Sequence, residues 1–208
     1  MAGERLPHLW ALAEPLPALD AADDSYIVRW TDDVGHHLIQ QVEVEIGGQL
    51  IDRQYGDWLE IWAQLTVPAG QQKGYREMIG QDPLDALGRP TGLQHDQYNS
   101  ETNVITGRTI YVPLQFWFCR NVGLALPLIA LQYHEVKINV TFRTLAELTV
   151  NGTGSLTAES ASLSNASLWV DYIYLDTDER RRFAQVSHEY LIEQLQYTGA
   201  EAATASKT

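Results

Sequence analysis

A chain of 208 residues with 45% hydrophobic residues has enough apolar side chains to build one packed domain. Its net charge of −13 argues against a direct nucleic-acid surface, because phosphate binding needs a basic face. The single cysteine, Cys119, excludes an internal disulfide framework. No apolar run reaches the roughly 18 residues of a membrane-spanning helix.

In chain order, residues 1–24 come first, and their alanine, proline and aspartate content predicts an irregular lead. Residues 26–30 form a short strand candidate. Residues 38–46 alternate between apolar and polar side chains, which predicts a strand with one buried face. Gly47 and Gly48 supply the positive φ angles of a tight hairpin turn, and the chain then returns as a second strand through Arg53.

An amphipathic helix is predicted next, ending before Pro68. Asp57 would cap this helix, and Glu60, three residues later, would complete a capping box. Apolar residues at i, i+3, i+4 and i+7 should dock the helix on the core: Trp58, Ile61, Trp62 and Leu65.

The middle of the chain alternates between loops and strands. Residues 71–107 are polar and rich in turn-forming residues, which predicts long surface loops with one helical turn near residues 75–79. A strand over residues 109–114 then runs into an aromatic cluster at residues 116–118. The strand over residues 134–142 has the clearest alternation, with four inward side chains: Val136, Ile138, Val140 and Phe142.

Residues 148–167 are polar and predict a loop or a weak edge hairpin. Residues 168–175 predict a strand that is apolar on both faces, which indicates cover on both sides. Thr177 would cap a short helix through residue 184, residues 190–197 would be extended, and residues 198–208 would be a disordered tail. Short strands with long connections predict an all-β sandwich with short helices in the connections. The predicted core consists of Val42, Val44, Ile46, Trp58, Ile61, Trp62, Leu65, Val136, Ile138, Val140 and Phe142.

Candidate chemistry is sparse, and we expect no catalytic residue, cofactor or metal site. The histidine pair His36-His37 would open a strand with its rings on opposite faces, so the two rings would not chelate one metal ion. Cys119 is expected to be a buried structural thiol. Asn151 is the one sequon asparagine that we consider as a glycosylation acceptor. Residues 180–182 are arginines that follow acidic residues, which indicates local ion pairs on an exposed turn.

Three separated blocks of this sequence resemble a known family. They are VEVEIGGQLIDRQYGDWLEIWAQLT, YVPLQFWFCRNVGLALPLIALQYHEVKINVTF and DERRRFAQVSHEYLIEQLQ. Together they resemble the N-terminal jelly roll of the major capsid protein of large nucleocytoplasmic DNA viruses, which include iridoviruses and chloroviruses. The resemblance covers about residues 26–197, and it implies a jelly-roll domain over residues 25–197 between the lead and the tail.

The resemblance implies a structural protein, not an enzyme, in the icosahedral capsid of a double-stranded DNA virus. In that family two fused jelly rolls form each chain, and three chains form a pseudo-hexagonal capsomer. The implied partners are two further copies, neighbouring capsomers and minor capsid proteins. The implied location is the virion, after late expression and assembly in the host cytoplasm.

Two departures from the family pattern affect this interpretation. No second roll follows residue 197, and only the proline-rich lead stands where the family places further strands. We therefore expect a fragment, a split gene or a minor relative. The alternative function is a jelly-roll carbohydrate-binding or attachment module, for which Trp169, Tyr172 and Tyr174 would supply the aromatic rings.

Overall fold

A computed structural model describes residues 5–16, 19–20, 28–81, 104–105, 108–151 and 165–199. The strands of these residues are Arg5–Leu16 (β1), Leu19–Asp20 (β2), Val28–Trp30 (β3), Ile39–Ile46 (β4), Gln49–Tyr55 (β5), Val104–Ile105 (β6), Arg108–Pro113 (β7), Val136–Phe142 (β8), Thr149–Asn151 (β9) and Ser167–Tyr174 (β10). The helices are Val34–Leu38 (α1), Gly56–Thr66 (α2), Ala69–Met78 (α3), Trp117–Arg120 (α4), Leu145–Leu148 (α5) and Thr177–Gln185 (α6), with a 3-10 helix at Val122–Leu124.

The strands form small antiparallel sheets. Two of these sheets have three strands each, in the orders β10-β1-β7 and β5-β4-β8. Two further strand pairs, β2-β6 and β3-β9, are also antiparallel. The prediction of a mostly β fold with short helices in its connections is confirmed.

The prediction of an irregular lead over residues 1–24 is wrong for Arg5–Leu16. This strand is the middle strand of its sheet, and its backbone pairs with both β10 and β7. Pro7 lies at the start of a register irregularity against β10, between Pro7 and Trp10. Local composition missed the strand because its partners lie about a hundred or more residues further along the chain. The strand Arg5–Leu16 also contradicts the expectation that no strand precedes the first block that resembles the family.

The β4–β5 hairpin confirms the central prediction. Gly47 and Gly48 have φ angles of 61° and 80°, as a tight turn that follows the twist of the strands requires. Val42 and Val44 are fully buried, and Ile46 is half-buried against the core. A bulge in β5 interrupts the pairing with β4, because Val44 pairs with Asp52 while the next residue of β4 pairs with Leu50.

The strand β8 pairs with β4 and shows the predicted alternation. Its four inward side chains are half-buried and pack against the core: Val136, Ile138, Val140 and Phe142. These residues therefore belong to the core as predicted, although they lie at its margin because β8 is an edge strand of its sheet.

The histidine pair does not open a strand, as the alternation had suggested. His36 and His37 lie in α1, the short helix before β4. A tertiary contact holds this helix, since the Gly35 N–H donates to the Ile79 carbonyl at 2.8 Å. A side chain at position 35 would meet that carbonyl, which leaves room only for glycine.

The helix α2 forms where it was predicted, but the buried face was predicted wrongly. Ile61 and Leu65 are 51% and 76% exposed, whereas Leu59 is fully buried. Trp58 and Trp62 are half-buried, and their ring centroids lie 5.9 Å apart. The buried residues of α2 are Gly56, Leu59 and Ala63.

The backbone of α2 approaches α1 closely at the first residue of α2, and this approach explains which face of α2 is buried. A Cβ at Gly56 would lie 2.2 Å from the His36 carbonyl oxygen and 2.5 Å from that of Ile39. The backbone of Gly56 therefore packs directly on α1, and this contact turns Leu59 inward. The predicted capping box at Asp57 is also wrong, because Tyr55 is the N-cap residue and makes no side-chain cap hydrogen bond.

The prediction of surface loops over residues 71–107 is wrong for its first part, where α3 forms. This helix has no buried residue over Ala69–Met78, so its polar composition concealed it. Gln, Lys, Arg, Glu and Met are good helix formers, and this propensity was the available signal. Residues 82–103 lie outside the described residues.

The core lies between the sheets and is closed by aromatic rings. Phe116 and Phe118 stack at 5.5 Å, and Trp117 meets Phe118 edge-on at 4.9 Å. Ile110 and Val112 of β7 lie in the same buried cluster as Val42 and Val44 of β4. Cys119 is buried beside these rings, which confirms the prediction of a buried thiol.

The N-cap residue of the last helix, α6, lies one position earlier in the chain than predicted. The Asp176 carboxylate accepts a hydrogen bond from the Glu179 N–H at 2.8 Å, so Asp176 and not Thr177 is the N-cap residue. Acidic residues follow in the first turn, where they complement the helix dipole. Most of the tail predicted to be disordered, residues 200–208, lies outside the described residues.

Candidate interaction surfaces

The outer strand of the β10-β1-β7 sheet exposes large apolar side chains. Leu168, Trp169, Tyr172 and Tyr174 are 39%, 60%, 43% and 58% exposed. The sequence predicted cover on both faces of this strand, and the described part of the chain does not supply it. Trp169 lies on one face of the strand and the other three side chains lie on the opposite face, because successive residues of a strand alternate. We call these four side chains together, on both faces of the strand, the β10 surface.

The geometry of the β10 surface bears on the carbohydrate-binding alternative. Trp169 meets Tyr111 of β7 edge-on, with ring centroids 6.2 Å apart and planes at 77°. A sugar ring stacks on a flat aromatic face, and two perpendicular rings do not form an extended flat platform. This arrangement therefore favours contact with a protein surface over stacking on an oligosaccharide.

A second surface is an apolar groove of about 520 Å³ beside the β4–β5 hairpin. Its lining includes Ile46 and Ile51 of the hairpin together with Phe183, Val186 and Ile192 from the end of the described chain. The sequence analysis missed this groove because its walls come from segments more than a hundred residues apart. No local pattern carries that information.

A partly buried hydrogen-bond chain, with the buried His36 at its centre, joins the three helices α1, α2 and α3. The His36 ring is 1% exposed, and its Nδ1 lies 2.5 Å from the Glu60 carboxylate. Its Nε2 lies 2.9 Å from the Tyr75 hydroxyl. The hydrogen bond from His36 lowers the pKa of Glu60, while burial and the nearby Glu60 charge raise the pKa of Tyr75 far above its usual range.

This chain of groups does not have the character of an active site. The raised pKa of Tyr75 opposes a reactive phenolate, and the adjoining pocket holds only about 20 Å³. The groups fix the relative positions of three helices, which agrees with the prediction that the histidines serve hydrogen bonding and packing. Among the described residues, no group of three or more His, Cys, Asp or Glu side chains could hold a metal ion.

The other predicted polar residues have the following places. Asn151 is the last residue of β9, where a loop was expected, and its glycosylation stays a prediction. Arg181 lies 3.7 Å from Asp178, which confirms a local ion pair, although both residues lie in the helix α6 and not on a turn. Within the described residues, no helix is long and apolar enough to cross a membrane.

Comparison with known proteins identifies the relatives of this chain. Residues 12–176 match the family model described as the major capsid protein N-terminus. The chain is 52% identical over 197 residues to the major capsid protein of Phaeocystis pouchetii virus, and 54% identical over 179 residues to that of Pyramimonas orientalis virus. Each alignment covers 86% of this chain, but only 38% and 40% of those relatives.

A solved structure shows the same fold. The structure titled "PBCV-1 virus capsid, quasi-atomic model" aligns with a TM-score of 0.73 at 39% identity. The alignment covers 99% of this chain and 44% of that chain. The chain thus spans less than half the length of these relatives, and over that span it belongs to the major capsid protein family of large DNA viruses, as a representative of its N-terminal region.

Proposed function

We propose that this chain is a structural protein that contributes one jelly roll to the capsid of a large double-stranded DNA virus. The observation that carries the proposal is the family match over residues 12–176. The β10 surface supports it, because a strand with exposed apolar side chains on both faces indicates a protein contact on each face.

The packing of the two three-stranded sheets supports a jelly roll. Buried residues of β4 and β7 share one core cluster, as the facing sheets of a sandwich do. Strand β1 is central in its sheet, so we propose that the roll begins near residue 5 and extends to about residue 197. The lead then belongs to the domain.

The length of the relatives supports contacts with further capsid parts. They extend well beyond the part that this chain matches, since the alignments cover 38% and 40% of them. We propose a second jelly roll, two further copies in a trimer, neighbouring capsomers and minor capsid proteins as the contacts of this chain. The site of action is the virion, after assembly in the host cytoplasm.

Co-expression tests this function directly. The 208-residue chain would be produced with the unmatched C-terminal part of the Phaeocystis pouchetii virus protein. We expect a stable complex with the mass of three copies of each part, measured by light scattering after gel filtration. Two parts that elute separately, at any ratio of expression, would contradict the proposal. The Trp169→Ser variant, co-expressed under the same conditions, should form a weaker complex if the β10 surface takes part.

A further inference from the structure

The segment over residues 190–197 follows α6 without regular secondary structure and lies along β5. Strand β5 is an edge of the β5-β4-β8 sheet, and an edge strand can pair with another chain unless something covers it. The segment lies with Tyr190 and Ile192 half-buried, while Leu191 between them is 90% exposed. It is therefore seated on the protein through alternate side chains.

Specific contacts join this segment to β5. The Gln194 side chain donates a hydrogen bond to the Ile51 carbonyl. The Leu195 N–H donates a hydrogen bond of 3.0 Å to the Asp52 carboxylate. The Tyr197 ring contacts the Tyr55 ring, with their centroids 4.6 Å apart. The residue numbers rise together on both sides. The segment therefore runs parallel to β5.

The first contact lies at the bulge of β5. Asp52 and Leu50 have partners on β4, which leaves Ile51 between them without one. A bulge interrupts the regular ladder, and its carbonyl then needs another donor. The Gln194 amide is that donor.

The second contact supports a buried charge. Asp52 is 4% exposed and lies opposite Val44, on the inward face of the sheet. Burial raises the pKa of its carboxyl group, while hydrogen bonds from Leu195, Gln54 and Arg53 oppose that effect. Loss of the Leu195 N–H would leave a buried carboxylate with one donor fewer, which is costly.

An ion pair anchors the middle of the segment. Arg120 Nη1 lies 2.6 Å from the Glu193 carboxylate. The same guanidinium stacks on the Trp62 ring at 4.1 Å and donates to the Gln115 carbonyl at 3.0 Å. Since these contacts fix the arginine on the protein, Glu193 binds a pre-positioned partner.

We propose that residues 190–197 form a strap that occupies the outer edge of β5 and prevents that edge from pairing with β5 of a second copy. The contacts are ordered along the chain, and the Gln194 side chain donates to the carbonyl that the bulge leaves without a partner on β4. Release of the strap exposes this edge and also removes Tyr190 and Ile192 from the wall of the apolar groove.

Hydrogen exchange of the full 208-residue chain tests the strap. The double variant Gln194→Ala/Leu195→Pro removes both hydrogen bonds to β5, and the matched control is Leu191→Ala/Gln196→Ala on the exposed side of the same segment. In the double variant, we expect roughly tenfold faster exchange of the β5 peptide in dilute solution. This exchange should slow again as the protein concentration rises, because freed edges pair. The control should exchange like the parent chain.

A peptide of residues 188–199 provides the second measurement. Added to the double variant, it should restore slow exchange of β5 in dilute solution, and the same peptide with Gln194→Ala should not. Exchange of β5 that equals the parent's in the double variant would overturn the proposal. Faster exchange without concentration dependence would overturn it as well, because the edge would then be open without pairing. Protection that appears in β10 instead of β5 would also count against it.

Discussion

Single polar residues inside the protein determine how its helices meet. A carboxylate only accepts hydrogen bonds, so the Nδ1 of His36 carries the proton that is donated to Glu60. In a ring that carries its proton on Nδ1 alone, the Nε2 accepts from the Tyr75 hydroxyl. Each member of the chain thus has a partner, and a substitution of one leaves a buried group of another unsatisfied.

The lowered pKa of Glu60 makes a pH-dependent prediction. A carboxyl group with a lowered folded-state pKa stabilises the protein above its ordinary pKa of 4.5, and this contribution is lost as the pH falls through the lowered value. Glu60→Gln should therefore reduce the free energy of unfolding by about 1–3 kcal/mol near pH 7. The difference from the parent chain should shrink as the pH falls below about 4.5.

Urea unfolding over a series of pH values measures this difference. Tyr75→Phe is the matched control, because it removes the other hydrogen bond of His36 and keeps the one to Glu60. Its unfolding free energy should differ from the parent's by an amount that does not shrink in the same acidic range. A Glu60→Gln profile parallel to that of the parent would show that folding does not lower the pKa of Glu60.

At the scale of elements, a glycine contact fixes α2 on α1. Gly56→Ala places a Cβ within 2.5 Å of two backbone carbonyl oxygens, which cannot move without displacing α1 or the start of β4. We expect a loss of about 1–3 kcal/mol of unfolding free energy. Gly74→Ala in α3 has nothing within 4 Å of the new Cβ and should instead stabilise by about 0.5–1 kcal/mol. Thermal unfolding of both variants measures these changes. Equal changes in unfolding free energy for the two variants would refute the close contact at Gly56.

The orientation of α2 makes a second prediction at this scale. Leu59 is fully buried and Leu65 is 76% exposed. Leu59→Ala should therefore cost about 2–5 kcal/mol of unfolding free energy, and Leu65→Ala less than about 0.5 kcal/mol. Chemical denaturation of the two variants measures the costs. The reverse order would mean that the apolar stripe of Trp58 and Ile61 faces the core after all.

The elements that the sequence predicted are those set by neighbours in the chain. The β4–β5 hairpin follows from alternation and two glycines, and β8 follows from alternation alone. Strand β1 depends on pairing with β7 and β10, far along the chain, so its composition gave no signal. The orientation of α2 depends on a backbone contact at Gly56, and a hydrophobic pattern contains no information about it.

The candidate surfaces also differ in whether the local sequence could predict them. The β10 surface was predictable in part, because an apolar pattern on both faces of a strand indicates a partner on each face. The groove and the contacts of residues 190–197 were not predictable, since they arise where β5 meets a segment about 140 residues later. Asp52 and Gln54 carry the one local signal, polar residues at inward positions of a strand.

At the scale of the molecule, two opposing properties govern association. The net charge of −13 repels copies of the chain from one another, and this repulsion weakens with added salt. The β10 surface favours association, because β10 is the outer strand of its sheet and exposes large apolar side chains. Salt concentration should therefore shift the balance towards association.

We expect the isolated chain to self-associate through the β10 surface. Trp169→Ser/Tyr172→Ser removes two large exposed rings, and each buries apolar area in any contact that it makes. The double variant should sediment as a smaller species than the parent chain at tens of micromolar, and raising the salt should enlarge the difference. Tyr133→Ser, which removes a ring that is 86% exposed outside this surface, is the control and should sediment like the parent. A parent chain that stays monomeric in high salt would mean that the β10 surface needs a different partner. That partner would be the part of the viral relatives that this chain does not match, and the co-expression experiment would then detect it.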